Sequence, residues 1–222
     1  AAGVPGEKIK FFPVPEGIRI LEDLGAYGYR LETDKGQVLL FSLGGEHNMA
    51  DLAAAVAVAK KLGLPESVTW ERIPLIRGVD ARTQIVEGRF TILNDSYNAN
   101  PDSMRAALGL LHKARNRRRV AVLGDMFELG AASAELHRDL GGWLAAEAPP
   151  EFVALVGPAM AACREGLLAV GFPQTALCWF PDTDAAAVAV AELVREGDFI
   201  LVKGSRGMRL EKLVEALAAA AG

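Results

Sequence analysis

Apolar and polar positions change rhythm near Pro74. Before it, Ile18-Arg19-Ile20-Leu21, Ala26 to Glu32 and Gln37 to Leu43 are short, partly alternating runs. Pro13, Pro15, Gly17, Gly25 and the turn Thr33-Asp34-Lys35-Gly36 punctuate them, so antiparallel strands are expected between Ile9 and Leu43. Gly44-Gly45-Glu46-His47-Asn48 opens a predicted helix that reaches about Leu62, with Leu52, Ala55, Val56 and Ala59 on its apolar face. Gly63 ends it, and a short helical piece is expected over Pro65 to Arg72.

After Pro74 strands alternate with helices. The predicted strands are Thr83 to Glu87, Phe90 to Leu93, Val120 to Leu123, Phe152 to Val156, Thr175 to Phe180 and Phe199 to Val202. Helices are expected to begin near Pro101, Ala132, Pro158, Asp182 and Arg206. Such alternation implies right-handed crossovers and a mostly parallel sheet covered on both faces. The expected fold is therefore α/β: residues 76–222 form a Rossmann-like, doubly wound domain, and residues 1–75 form a smaller β-containing one.

In an open parallel sheet, ligands bind beyond the carboxyl ends of the strands. Three strand-to-helix junctions fall on that edge: Asp95-Ser96-Tyr97-Asn98-Ala99-Asn100-Pro101, Gly124-Asp125-Met126-Phe127-Glu128-Leu129-Gly130, and Lys203-Gly204-Ser205-Arg206-Gly207. Asn100 can cap a helix, and Pro101 suits the first turn because its missing N–H would be unpaired there anyway. Turn formation explains Asn and Pro, but less well the crowding of Asp95, Tyr97, Asn98 and Asn100. Lys203 to Arg206 at a helix N-terminus reads either as an anion site or as a plain cap with solvated charges.

Composition narrows the chemistry. The 222 residues are 51% hydrophobic and 23% charged, as in ordinary globular proteins, and the net charge of -4 offers no general attraction for nucleic acid. Arg117-Arg118-Arg119 is expected to be a solvated loop. Cys163 and Cys178 lack metal-ligand spacing and read as reduced core or near-core thiols of a cytoplasmic protein. No apolar run reaches the ~18 residues of a membrane span. The start lacks an initiator methionine and a signal-peptide pattern, so a piece of a longer protein is expected. Walker A, G-x-G-x-x-G, H-E-x-x-H and G-x-S-x-G patterns are all absent. His47 and Asn48 read as a helix cap, and His137 as a surface or edge histidine.

Taken together, Asn94 to Met104, Val122 to Gly130 and Leu201 to Gly207 resemble the Mur ligases, most closely the branch that adds D-alanyl-D-alanine to the UDP-muramoyl tripeptide. The likeness runs from Gly45-Glu46-His47-Asn48 to the end. It implies the last part of the central ATP-binding domain plus the complete C-terminal domain, with the UDP-binding domain, the phosphate loop and the family's carbamylated lysine lying elsewhere. It also implies an ATP-dependent amide ligation through an acyl phosphate, with Mg2+ bound mainly outside this chain and no metal ligand within it. The partners it implies are the tripeptide and dipeptide substrates, with neither nucleic acid nor membrane insertion.

Residue by residue, the resemblance implies a nucleotide set of His47, Asn48, Asp51, Arg82, Asp95, Asn98 and Asn100. Asn48 matches the adenine contact. Arg82 matches an arginine that reaches ATP phosphate, and Asp95 an aspartate that binds ribose or orders the closed domain; these two carry catalysis. Lys203, Ser205 and Arg206 lie where the acceptor is expected, with Lys203 open to serving a carboxylate or an oxyanion. Three positions depart from the family pattern. Asp51 replaces an asparagine and cannot donate to a ring nitrogen. Ala81 replaces a glycine, and Asn94 an aspartate. Two other readings stand beside it: another amide ligase of the superfamily such as a folylpolyglutamate synthetase, whose family lacks Tyr97-Asn98-Ala99-Asn100-Pro101, and a stand-alone module for small anionic or amino-acid ligands.

Overall fold

The computed structural model describes residues 14–221, so the part of the predicted strand region from Ile9 to Pro13 lies outside the described residues. The chain forms two compact units, divided between Arg77 and Gly78.

In the first unit, β1 (Ile18–Asp23), β2 (Tyr29–Thr33) and β3 (Val38–Phe41) form an antiparallel sheet in that order. Successive strand side chains point to opposite faces. Tyr29, Leu31, Leu39 and Phe41 therefore turn together onto Met49, Leu52 and Val56 of α1 (Glu46–Lys61) and Trp70 of α2 (Glu66–Arg72). The predicted run Ala26 to Glu32 is strand only from Tyr29. Gly28 has φ +100°, and a Cβ there would lie 1.9 Å from the Phe41 carbonyl oxygen, so the chain turns at a point only glycine can occupy. The apolar stripe of α1 is rotated from the expected one: Met49, Leu52, Ala53 and Val56 are buried and Ala55 is exposed. Its cap is Gly45, which makes no side-chain hydrogen bond. The cap expected of His47 or Asn48 is thus corrected: both lie inside the first turn.

The second unit carries a six-stranded sheet: β4 (Gln84–Val86), β5 (Thr91–Asp95), β6 (Arg119–Gly124), β7 (Phe152–Val156), β8 (Leu177–Phe180) and β9 (Phe199–Lys203), in the order β4-β5-β9-β6-β7-β8. Only β4, at the edge, is antiparallel to its neighbour, so the mostly parallel sheet stands as expected. Ile92, Val120, Val122, Ala154, Val156, Ile200 and Val202 share one face, against α6 (Thr183–Leu193) and α7 (Glu211–Ala221). The alternate residues Leu93, Ala121, Leu123, Val153, Leu155 and Leu201 are equally buried. The helices α3 (Pro101–His112), α4 (Ser133–Glu147) and α5 (Met160–Ala169) complete the unit, with α3 on β9 and β6 and α4 packed on α5.

Arg117 to Arg119 are not a solvated loop. Arg119 begins β6 and pairs with Glu151 at 2.6 Å, Arg118 pairs with Asp198 at 2.7 Å, and Arg117 donates to the Gly197 and Asp198 carbonyls. At the amino ends of parallel strands, these guanidinium groups are held by the carboxylates of Asp198 and Glu151 and by backbone carbonyls, so their charge is paired rather than solvated. Both cysteines are free. Cys163 is buried and its thiol is pushed up to about 12 by desolvation, whereas Cys178 is half-buried.

Candidate functional site

β5, β9 and β6 are adjacent and parallel, so their carboxyl ends open side by side. Their loops are bonded to one another. The Ser205 N–H donates to the Asp125 carbonyl at 3.0 Å, and the Phe127 N–H donates to Ser205 Oγ at 2.8 Å. Lys203 Nζ donates to Asp95 Oδ2 at 2.5 Å and to the Asn98 carbonyl at 3.0 Å. Close approach needs small residues: a Cβ on Gly204 would lie 3.0 Å from the Gly124 Cα.

Lys203 is 2% exposed. A buried ammonium needs an anionic partner, and Asp95 supplies it. Of the two openings left for Lys203, its charge is already matched within the protein. Ser205 is also buried, with its oxygen accepting from Phe127 and no acceptor for its hydroxyl proton among the described residues. Arg206 is exposed and begins a 3-10 turn, Arg206–Met208; the α-helix follows only at Glu211. The free helix N-terminus expected at this junction is therefore absent, because the Ser205 N–H is spent on Asp125 and the helix starts later.

Arg82 is carried by the loop before β4. Ala81 has φ +59° and Thr83 φ +51°, left-handed values that a β-branched residue such as threonine rarely adopts. Side-by-side strain of this kind persists only when the surroundings fix it. Here the Thr83 N–H donates to Asp95 Oδ1 at 3.1 Å, the Tyr97 N–H to the Ala81 carbonyl at 3.0 Å, and the Arg82 N–H to the Val79 carbonyl at 3.0 Å. Asp95 thus spans two loops, one carboxylate oxygen on the Arg82 loop and the other on Lys203. The Arg82 guanidinium carbon lies 4.1 Å from the Tyr97 ring centre. Asn100 caps α3 in a reciprocal box with Ser103, as its place in the sequence predicts. Asn98 contributes its backbone carbonyl, and its exposed side chain lies at the same junction.

The sequence assigns no supporting role to two residues that the structure shows to be supports. Asp125, 2% exposed at the end of β6, accepts the Met160 N–H at the start of α5 at 2.9 Å. Burial raises its pKa against the pull of the Ala159 and Met160 N–H groups and of His137. His137 is fully buried rather than at the surface: Nε2 accepts the Met126 N–H at 3.0 Å, which leaves Nδ1 to donate to the Ser133 carbonyl at 2.7 Å. The signal was present, since His137, Leu140 and Leu144 are spaced i, i+3, i+7 on one helix face. The ring braces the loop that carries Phe127 and Glu128.

In the first unit, Asn48 Nδ2 donates to the Gly44 carbonyl at 2.7 Å, while His47 and Asp51 are exposed on the first turns of α1. Among the described residues, no group of three His, Cys, Asp or Glu side chains could hold a metal ion.

The Mur ligase, glutamate ligase domain family matches residues 81–206. The UDP-N-acetylmuramoyl-tripeptide–D-alanyl-D-alanine ligase of Treponema pallidum is 32% identical over 225 residues, which covers 95% of this chain and 48% of the relative. A crystal structure of MurF from Acinetobacter baumannii aligns with a TM-score of 0.75 at 31% identity, covering 92% of this chain and 44% of that one. A folylpolyglutamate synthase from Mycobacterium tuberculosis aligns with a TM-score of 0.58 at 18% identity, over 92% of this chain and 47% of that one, a likeness of fold alone. The chain spans about half the length of the curated relatives it matches. With the match to residues 81–206 covering more than half of its length, the chain belongs to the Mur ligase family.

Proposed function

We propose that this chain is the C-terminal portion of an ATP-dependent ligase that joins D-alanyl-D-alanine to a UDP-N-acetylmuramoyl tripeptide during cell-wall precursor synthesis. In this reading residues 1–75 belong to the central ATP-binding domain and residues 76–222 form the C-terminal domain. The observation that carries it is Arg82: an exposed guanidinium with no carboxylate partner among the described residues, held by a strained loop that Asp95 clamps. The protein bears the cost of presenting an unneutralised cation, as transfer of a negatively charged phosphoryl group requires.

The proposed reaction begins with transfer of the terminal phosphoryl group of ATP to the tripeptide carboxylate, which gives an acyl phosphate and ADP. Arg82 stabilises the charge on the transferring group. The dipeptide amine then attacks the acyl carbon, loses a proton, and phosphate leaves as the amide forms. Arg206, bidentate toward a carboxylate, and the Ser205 hydroxyl hold the far end of the dipeptide away from that centre. Lys203 acts through Asp95 rather than on the acceptor directly. Both Asp95 oxygens already have partners, which favours an ordering role over a ribose contact. His47, Asn48 and Asp51 are assigned to the adenine side, with Asn98 and Asn100 at the junction. Mg2+ would neutralise the polyphosphate, and no residue of this chain is assigned to it. A cytoplasmic location goes with this substrate class, and no described helix is long and apolar enough to cross a membrane.

The test is ligation by a complete ligase carrying this segment. Arg82→Ala is expected to depress turnover by at least a hundredfold, in line with the ~2.7–4 kcal/mol lost with one preorganised donor. Near-normal turnover by a variant that melts like its parent would remove Arg82 from the phosphoryl site, and absence of ligation by the unsubstituted enzyme would overturn the proposal itself.

A further inference from the structure

The Tyr97 ring has two cationic neighbours. The Arg82 guanidinium lies 4.1 Å from its centre and the Arg206 guanidinium 5.6 Å. They come from loops far apart in the chain, one before β4 and one after β9. Neither makes an ion pair or a side-chain hydrogen bond among the described residues. Tyr97 is itself 39% exposed and its hydroxyl has no partner there. Its backbone is fixed on the Arg82 side, through its N–H on Ala81.

Two like charges gathered on one exposed ring repel each other. The face of the ring offsets part of that cost, and an anion on either guanidinium offsets far more. The usual alternative, an acidic side chain between the arginines, is absent from the described residues, although Asp95 lies close by with both oxygens engaged elsewhere. From this we infer that Tyr97 is a positioning residue. It holds Arg82 and Arg206 as one anion-receiving pair and so couples the phosphoryl end of the site to the acceptor end. The inference rests on the ligase reading above and adds the group that links its two halves. Occupation of one guanidinium by an anion orders the shared ring, so the second anion meets an arginine already in place. The ring face is what the arrangement uses: phenylalanine retains it, and leucine, apolar but without a ring, does not.

The experiment uses the 222-residue chain with arginine side-chain NMR and two probes, sodium tripolyphosphate and D-alanyl-D-alanine. In the parent, tripolyphosphate on Arg82 should also shift the Arg206 Nε signal through the shared ring, leave Arg206 open, and so tighten dipeptide binding. Tyr97→Leu should move both arginine signals away from their ring-shifted positions, weaken tripolyphosphate about three- to tenfold and abolish the coupling. Tyr97→Phe should retain all three properties. Unchanged arginine signals or unchanged coupling in a folded Tyr97→Leu chain would overturn the role of Tyr97 and leave the ligase reading standing. With the phosphate loop lying elsewhere the probe is used at millimolar concentration, and its failure there to perturb Arg82 in the parent would overturn both the pair and the assignment of Arg82 to phosphate.

Discussion

Arg206 is the residue on which the acceptor assignment turns. A charge-assisted hydrogen bond contributes ~1.5–3 kcal/mol, so Arg206→Ala should raise the dipeptide KM by roughly ten- to a hundredfold in a complete ligase and leave the ATP KM nearly unchanged. Steady-state kinetics with each substrate varied separately decides it. A solvated arginine moves neither constant, and a shift in the ATP KM would assign the junction to the nucleotide. Asp125 gives a prediction from linkage. Its folded pKa is raised from 3.8 by burial, so above that pH the native state holds more protons than the unfolded chain, and stability falls as pH rises through the raised value. Asp125→Asn lacks this titration. Urea unfolding of the two proteins should show the parent losing stability relative to the variant as pH climbs from about 3.8, and a constant difference would show that burial does not control this carboxyl.

The elements explain why the site residues are where they are. Asn100 sits at an end that strand β5 and helix α3 define together: its oxygen accepts the Ser103 N–H at 2.8 Å, and Ser103 Oγ accepts the Asn100 N–H at 3.0 Å. Losing such a cap costs ~1 kcal/mol. Asn100→Ala should lower stability by about that amount in chemical unfolding, while Asn100→Asp should stay near the parent; equal stability of all three would mean the box contributes nothing. α4 shows how an element can serve the site from behind. His137 faces the same way as Leu140 and Leu144, and its ring reaches the Met126 N–H, so the loop after β6 is braced by a helix packed beneath it.

For the whole molecule, the consequence concerns nucleotide affinity. The sequence has no phosphate loop, which supplies most phosphate contacts in such sites, so calorimetry of the 222-residue chain with ATP should detect no micromolar binding and no hydrolysis. Micromolar affinity would mean that these residues form a nucleotide site of another kind. By itself, the sequence determined the alternation of strands and helices after Pro74, the buried strands, the cap at Asn100 and the three polar junctions. These follow from local spacing and turn chemistry, which act between residues a few positions apart. Only the tertiary structure decided that β9 runs between β5 and β6, and that placement brings Lys203 onto Asp95 across 108 positions. It also decided that Arg118 and Asp198 are partners, that His137 is a core residue, and that Arg82 and Arg206 share Tyr97. An ion pair or a ring contact between distant loops has no period in the sequence. It exists because a parallel sheet sets the ends of non-consecutive strands side by side, where a buried charge must find its partner.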